Sequence, residues 1–237
     1  VIDKKTTGCE YDYTIRAESC DKDDFWGQVR RTINGVAVPH EQIDMIVQAI
    51  NTNLNLQPDD VLMDVGCGNG ALTKYFFSKC AETLGVDRSS YLIDVAKKNF
   101  ESLPNYIFKQ ADAVEFLSSI PNPQKFTKIL CYGVFSFFSP EDARRFLQVL
   151  SERFINVQTA FIGNIRDLDL AHKFFMKKNE HNYDLSDHTS TMGCWRTKQE
   201  TAELVQSAGW DVRFHKMPKE FYAQEYYFDA ILFPFVR

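Results

Sequence analysis

One stretch constrains this chain more than any other: Val61-Leu62-Met63-Asp64-Val65-Gly66-Cys67-Gly68-Asn69-Gly70-Ala71-Leu72-Thr73. An apolar run ends in an acid, breaks into three alternating glycines, and passes at once into helix-forming sequence from Ala71 to Lys79. This pattern predicts a buried parallel strand, a tight turn and the N-terminus of a helix. Glycines serve such a turn in two ways: they permit positive φ, and they let a ligand lie directly on the backbone. A strand-to-helix turn without a ligand would not need glycine at three alternate positions.

The turn alone does not name the ligand. Gly66, Gly68 and Ala71 also satisfy the dinucleotide fingerprint G-x-G-x-x-[G/A]. The acids separate the possibilities. Asp64 sits at the end of the first strand, where a dinucleotide site is usually apolar. Asp87 ends the next predicted strand, Leu84-Gly85-Val86-Asp87, and is placed to accept hydrogen bonds from a ribose diol. Asp112, in Gln110-Ala111-Asp112-Ala113, ends a third. Three carboxylates make a poor pocket for a pyrophosphate and suit a phosphate-free ligand that carries positive charge.

On these residues the chain resembles the class I S-adenosylmethionine-dependent methyltransferases. The likeness rests on the D-x-G-x-G-x-G of Asp64 to Gly70, on Asp87 and on Asp112, and extends from about Val61 to the C-terminus. It implies a doubly wound α/β fold with a mostly parallel seven-stranded sheet and a C-terminal antiparallel hairpin. It also implies S-adenosylmethionine as cofactor. The cofactor site expected from it comprises Trp26, Arg31, Asp64, Gly66, Cys67, Gly68, Asp87, Arg88, Asp112, Ala113, Tyr132 and Gly133.

Length and composition bound this reading. A chain of 237 residues fits one large α/β domain, with residues 1–55 as N-terminal lid and helices, 56–237 as core, and 165–196 as a substrate-side insertion. A hydrophobic content of 44% is enough for a full core. The net charge of −5, with basic residues scattered, argues against a nucleic-acid backbone as partner. Six cysteines without C-x-x-C spacing read as reduced thiols in a cytoplasmic protein, not a disulfide framework or zinc site. No metal-ligand spacing, membrane span or signal peptide is visible. The first residue is Val1 rather than Met, which leaves the natural N-terminus open, and nothing in the sequence fixes the oligomeric state.

Taken in order, the chain begins with a polar stretch to Asp24 that reads as a flexible lead-in. Phe25 to Thr32 then sets two large aromatics beside Arg30 and Arg31. This segment is read either as a hydrophobic staple with solvated arginines or as a lid, in which an arginine pairs with a carboxylate. Asn34-Gly35 marks a turn. His40 to Ile50 is helical by periodicity, and Asn51 to Asp60 is a polar linker.

Beyond the glycine loop, strands are expected near 82–86, 106–109, 128–132 and 159–164. Helices are expected near 90–99, 113–119, 140–154 and 168–178. Such alternation builds a parallel sheet covered on both faces, with ligands at the carboxyl ends of its strands. A helix over 195–208 capped by Gly209, then strands over 210–217 and 226–235, complete the pattern.

The loop Gly133 to Pro140 is aromatic, and a sulfonium over aromatic faces gains about 0.5–2 kcal/mol. It lacks the D/N-P-P-Y motif of adenine and glutamine N-methyltransferases, which counts against those acceptors. At least one of Phe135, Phe137 and Phe138 should be core only. The segment Gly163 to Arg196 is rich in polar chemistry, and Asn179 to Cys194 is long enough to be a lid. His181 and His188 within it are the candidates for a catalytic base.

The function expected is methyl transfer to a small polar acceptor, sugar-like or anionic. The alternative is a dinucleotide-dependent oxidoreductase or a non-catalytic cofactor-binding protein.

Overall fold

The structure, a computed structural model, describes residues 15–178 and 184–235. Residues 15–19 are helical and Ala17 is fully buried, so the described end of the expected lead-in is packed rather than loose. Helix α1, Phe25–Gln28, is capped by Asp24, whose carboxylate accepts from Gly27 N–H at 2.9 Å. Strands β1, Thr32–Ile33, and β2, Val36–Ala37, form a hairpin around Asn34-Gly35. Both turn residues take positive φ, as a tight two-residue connection requires.

Helix α2, His40–Leu54, runs past the expected end at Ile50, because Leu54 continues the buried stripe of Ile43, Ile46 and Ile50. Asn55 stops it in the left-handed conformation.

The alternating unit follows: β3 Val61–Val65, β4 Glu82–Asp87, α3 Ser90–Phe100, β5 Tyr106–Gln110, α4 Ala113–Ser119, β6 Lys128–Tyr132, α5 Pro140–Arg153 and β7 Thr159–Arg166. Helix α6, Ala171–Lys178, and helix α7, Lys198–Ser207, precede β8, Trp210–His215, and β9, Tyr227–Pro234.

Three expectations are corrected in detail. The segment after the glycine loop is a 3-10 helix, Thr73–Lys79, rather than an α-helix. It is pinned on two sides within one turn, with Phe76 fully buried and Phe77 stacked on Tyr106 at 4.1 Å between centroids. The helix expected over 168–178 is divided: a 3-10 turn at Leu168–Leu170, capped by Asp167, comes before α6. Finally, α7 starts after Thr197, which forms a capping box with Glu200. Trp195 and Arg196 stay extended because Arg196 pairs with Asp167 in a parallel bridge.

The seven-stranded sheet has the order β5-β4-β3-β6-β7-β9-β8. The first five strands run parallel, and β9 pairs antiparallel with both β7 and β8. Alternate residues feed two cores. Met63, Val65, Ile129 and Cys131 face one, and Leu62, Leu130 and Tyr132 face the other, where α2 packs. The chain leaves β3 toward β4 and later returns to β6 on its other side. The strand order therefore reverses between β3 and β6, which places a crevice at their carboxyl ends.

Candidate active site

A cavity of about 340 Å³ opens at that crevice. Its floor is the glycine loop. Gly66 N–H donates to Val86 carbonyl at 2.7 Å, which ties the loop to the end of β4. Gly66 has φ of +75°, and a Cβ there would lie 2.2 Å from Val134. Gly68 N–H donates to Asp87 Oδ2 at 2.9 Å, and Ser89 N–H donates to Oδ1 at 2.9 Å. Asp87 thus holds the loop in shape while presenting its remaining lone pairs toward the cavity it lines.

The other carboxylates are placed differently. Asp64, at the end of β3, is buried and accepts from Thr73 hydroxyl at 2.6 Å. Burial pushes its carboxyl up to about 7; the Thr73 bond opposes that shift and the charge of Asp87 adds to it. Asp87 is also raised, by burial first, against the pull of the Ser89 and Gly68 N–H groups. Asp112 lies just beyond β5 rather than in it, and its Oδ1 caps α4 by accepting from Val114 and Glu115 N–H at 2.9 and 3.1 Å. Cys67 is buried, and burial together with Asp87 and Asp64 raises its thiol well above the usual range, so it stays protonated.

All twelve residues of the expected cofactor site line this cavity, Arg88 and Ala113 among them. Sequence reasoning missed Asn69, Gln28 and Thr73. Asn69 Nδ2 donates to Phe25 carbonyl at 2.8 Å and to Gln28 Oε1 at 2.9 Å, joining α1 to the glycine loop. The one available signal was an amide standing between two loop glycines. Nothing local in the sequence marked Gln28 as its partner.

Beyond β6 the wall is aromatic. Tyr132, Phe137 and Phe138 line the cavity, while Phe135 is core. The Arg31 guanidinium lies 4.7 Å from the Tyr132 ring centroid. Trp26 both packs against the α2 core and lines the cavity, and Arg31, partly buried over Tyr132, is not the solvated arginine that the staple reading expected.

His188 and Thr189 enter from the long loop after α6, where Asp187 Oδ1 accepts from Thr189 N–H and hydroxyl at 2.8 and 2.7 Å. His181 lies outside the described residues. Of the other histidines, His40 and His172 are exposed, and His215 Nδ1 is 2.9 Å from Asp229 Oδ2.

Residues 62–153 match the sequence model of the methyltransferase domain. By that match the chain carries a methyltransferase domain, and its seven-stranded sheet is similar to that of the class I S-adenosylmethionine-dependent methyltransferases. It is similar to a probable cobalt-precorrin-6B C(15)-methyltransferase (decarboxylating) of Methanococcus vannielii, 34% identical over 70 residues, covering 29% of this chain and 37% of that protein. It is also similar to a ribosomal RNA small subunit methyltransferase A of Picosynechococcus sp., 31% identical over 97 residues, covering 38% of this chain and 36% of that protein. The chain thus matches little more than a third of either relative. Among solved structures, magnesium protoporphyrin IX methyltransferase from Synechocystis PCC 6803 with bound S-adenosylhomocysteine has the same fold. Its TM-score is 0.62 at 15% identity, with 96% of this chain and 95% of that one covered.

Proposed function

We propose that this chain binds S-adenosylmethionine in the cavity and transfers its methyl group to a small polar acceptor by in-line displacement. The observation that carries the reading is Asp87, whose two oxygens are fixed by Gly68 and Ser89 N–H groups beside a glycine cradle with no room for a Cβ. That arrangement suits a ribose diol laid against backbone. Asp64, poised near neutrality, fits a cationic amine, and Arg31 fits the cofactor's carboxylate. The cofactor, when bound, supplies the activated methyl group.

The protein's share is position, charge and exclusion of water. Trp26 on one segment and His188 on another enclose the acceptor end, which favours a small molecule over a nucleic-acid strand. For a hydroxyl or amine acceptor, His188 is the group at hand to take the proton. The thiols of Cys20, Cys67, Cys80, Cys131 and Cys194 are free, consistent with a reducing, cytoplasmic setting.

Calorimetry tests the reading. S-adenosylhomocysteine should bind in the micromolar range, roughly −8 kcal/mol, and NAD should not bind. Binding of NAD with no response to S-adenosylhomocysteine would reject it.

A further inference from the structure

Beside the cofactor cavity, at the carboxyl end of β7, gathers a group of polar side chains that the cofactor does not account for. It begins at a β-bulge between Ile162 and Ile165, where β7 changes register against β9. Asn164, in the bulge, takes positive φ, and its N–H donates to Asp229 Oδ1 at 2.8 Å. The bulge turns the Asn164 amide toward Gly133. A Cβ built on Gly133 would lie 3.1 Å from Arg31 Nη2 and 3.7 Å from Asn164 Nδ2, so two nitrogen donors converge on that open backbone.

Two residues further along β7 is Arg166. It is buried, its Nε has no hydrogen-bond partner and it has no carboxylate partner among the described residues, and its guanidinium stands 5.4 Å from the Phe137 ring centroid and 5.8 Å from that of Tyr227. Tyr227, paired with Arg166 across the strands, is also close enough to act electrostatically on Arg31. Two guanidiniums therefore flank one tyrosine at the carboxyl edge of the sheet. The carboxylate nearby, Asp229, is occupied by Asn164 N–H and His215.

A buried guanidinium without a counter-charge is costly to keep. The cofactor carries one carboxylate, which the reading above assigns to Arg31, so Arg166 is left for another anion. We propose that Arg166, with Asn164 and the Tyr227 hydroxyl, forms the anion-binding subsite for the methyl acceptor, which is therefore a small molecule bearing an oxyanion group. Guanidinium and amide donors suit carboxylate and phosphate oxygens alike. This proposal rests on the methyltransferase reading above and narrows its substrate class.

The test uses the full chain saturated with S-adenosylhomocysteine, titrated by calorimetry and thermal melting with acetate, benzoate, inorganic phosphate and, as the uncharged control, benzamide. At least one oxyanion should bind and raise the melting temperature, and benzamide should do neither. A response to acetate or benzoate alone assigns a carboxylate, and a response to phosphate alone assigns a phosphate or phosphonate.

In Arg166→Met the anion should bind at least tenfold more weakly, with S-adenosylhomocysteine affinity changed less than twofold. The melting temperature of the ligand-free protein should be unchanged or higher, because an unpaired buried charge has been removed. Arg166→Lys should recover part of the anion affinity. The proposal is overturned if no oxyanion binds the unaltered protein, or if Arg166→Met melts lower and still binds the anion. It is equally overturned if that variant loses tenfold or more in S-adenosylhomocysteine affinity, because the cation would then belong to the cofactor. Failure of S-adenosylhomocysteine to bind the unaltered protein rejects the methyltransferase reading instead, and the Arg166-dependent anion response is then read without it.

Discussion

Asp64 shows what single residues contribute to this site. Its carboxyl titrates near 7 in the folded chain against 3.8 for the free side chain. Between those values the native state holds a proton that the unfolded state has lost. Stability from this group therefore falls as pH rises from about 4 to about 7 in the ligand-free protein. A cationic ligand prefers the ionised form, so S-adenosylhomocysteine affinity should rise from pH 6 to pH 8 and then level off. Thr73→Val removes the hydrogen bond that favours the ionised form and should move that rise to higher pH. Calorimetry across this range checks both, and a flat profile in the unaltered protein would refute the assignment. Asp87 combines two tasks. Asp87→Ala removes charge-assisted bonds worth about 1.5–3 kcal/mol each, so cofactor affinity should fall tenfold or more. Because Gly68 N–H loses its partner too, amide exchange in residues 66–70 should also quicken, which loss of ribose contacts alone would not cause.

At the scale of elements, helix α1 is too short to be stable alone, with four residues and one side-chain cap. It is held against the glycine loop by Asn69, through Phe25 carbonyl and Gln28. Gln28→Ala leaves the buried Asn69 amide partly unsatisfied, at a cost of about 1–3 kcal/mol. The expected result is faster hydrogen exchange in residues 25–31 and weaker S-adenosylhomocysteine binding, with the melting transition still cooperative. Unchanged exchange there would show that α1 is anchored by Trp26 packing instead. The 3-10 helix at Thr73–Lys79 illustrates how packing overrides propensity. Its sequence is compatible with an α-helix, but two adjacent aromatic anchors, buried Phe76 and stacked Phe77, fix a tighter turn.

Across the whole molecule, the two cores meet through a single sheet, and β8 at its edge pairs with no strand but β9. Trp210 at the start of β8 is fully buried and its indole N–H donates to Leu147 carbonyl at 3.2 Å, which fastens the edge strand to α5. Trp210→Ala should destabilise the chain by about 3–5 kcal/mol, read by denaturant unfolding. Cofactor affinity at a temperature where the variant is folded should stay the same, since Trp210 lies away from the cavity. A loss of affinity there would mean that the edge strand and the crevice are coupled.

The sequence determined the alternation of strands and helices, the glycine turn and the acids at its strand ends, because each is written in neighbouring residues with a period of 2 or 3.6 or a fixed spacing. Asp64, Asp87 and the terminal hairpin were legible on those terms. Tertiary structure decided what depends on distant partners. It brought Asn69 to Gln28, made Asp112 a helix cap, kept Trp195 and Arg196 out of α7, and turned Asn164 through a bulge. It also left Arg166 buried without a counter-charge among the described residues. The caps at Asp112 and Thr197 do carry a local signature, a glutamate three residues on, but burial, register and the charge left unpaired are properties of which segments meet, and that is settled only when the sheet closes.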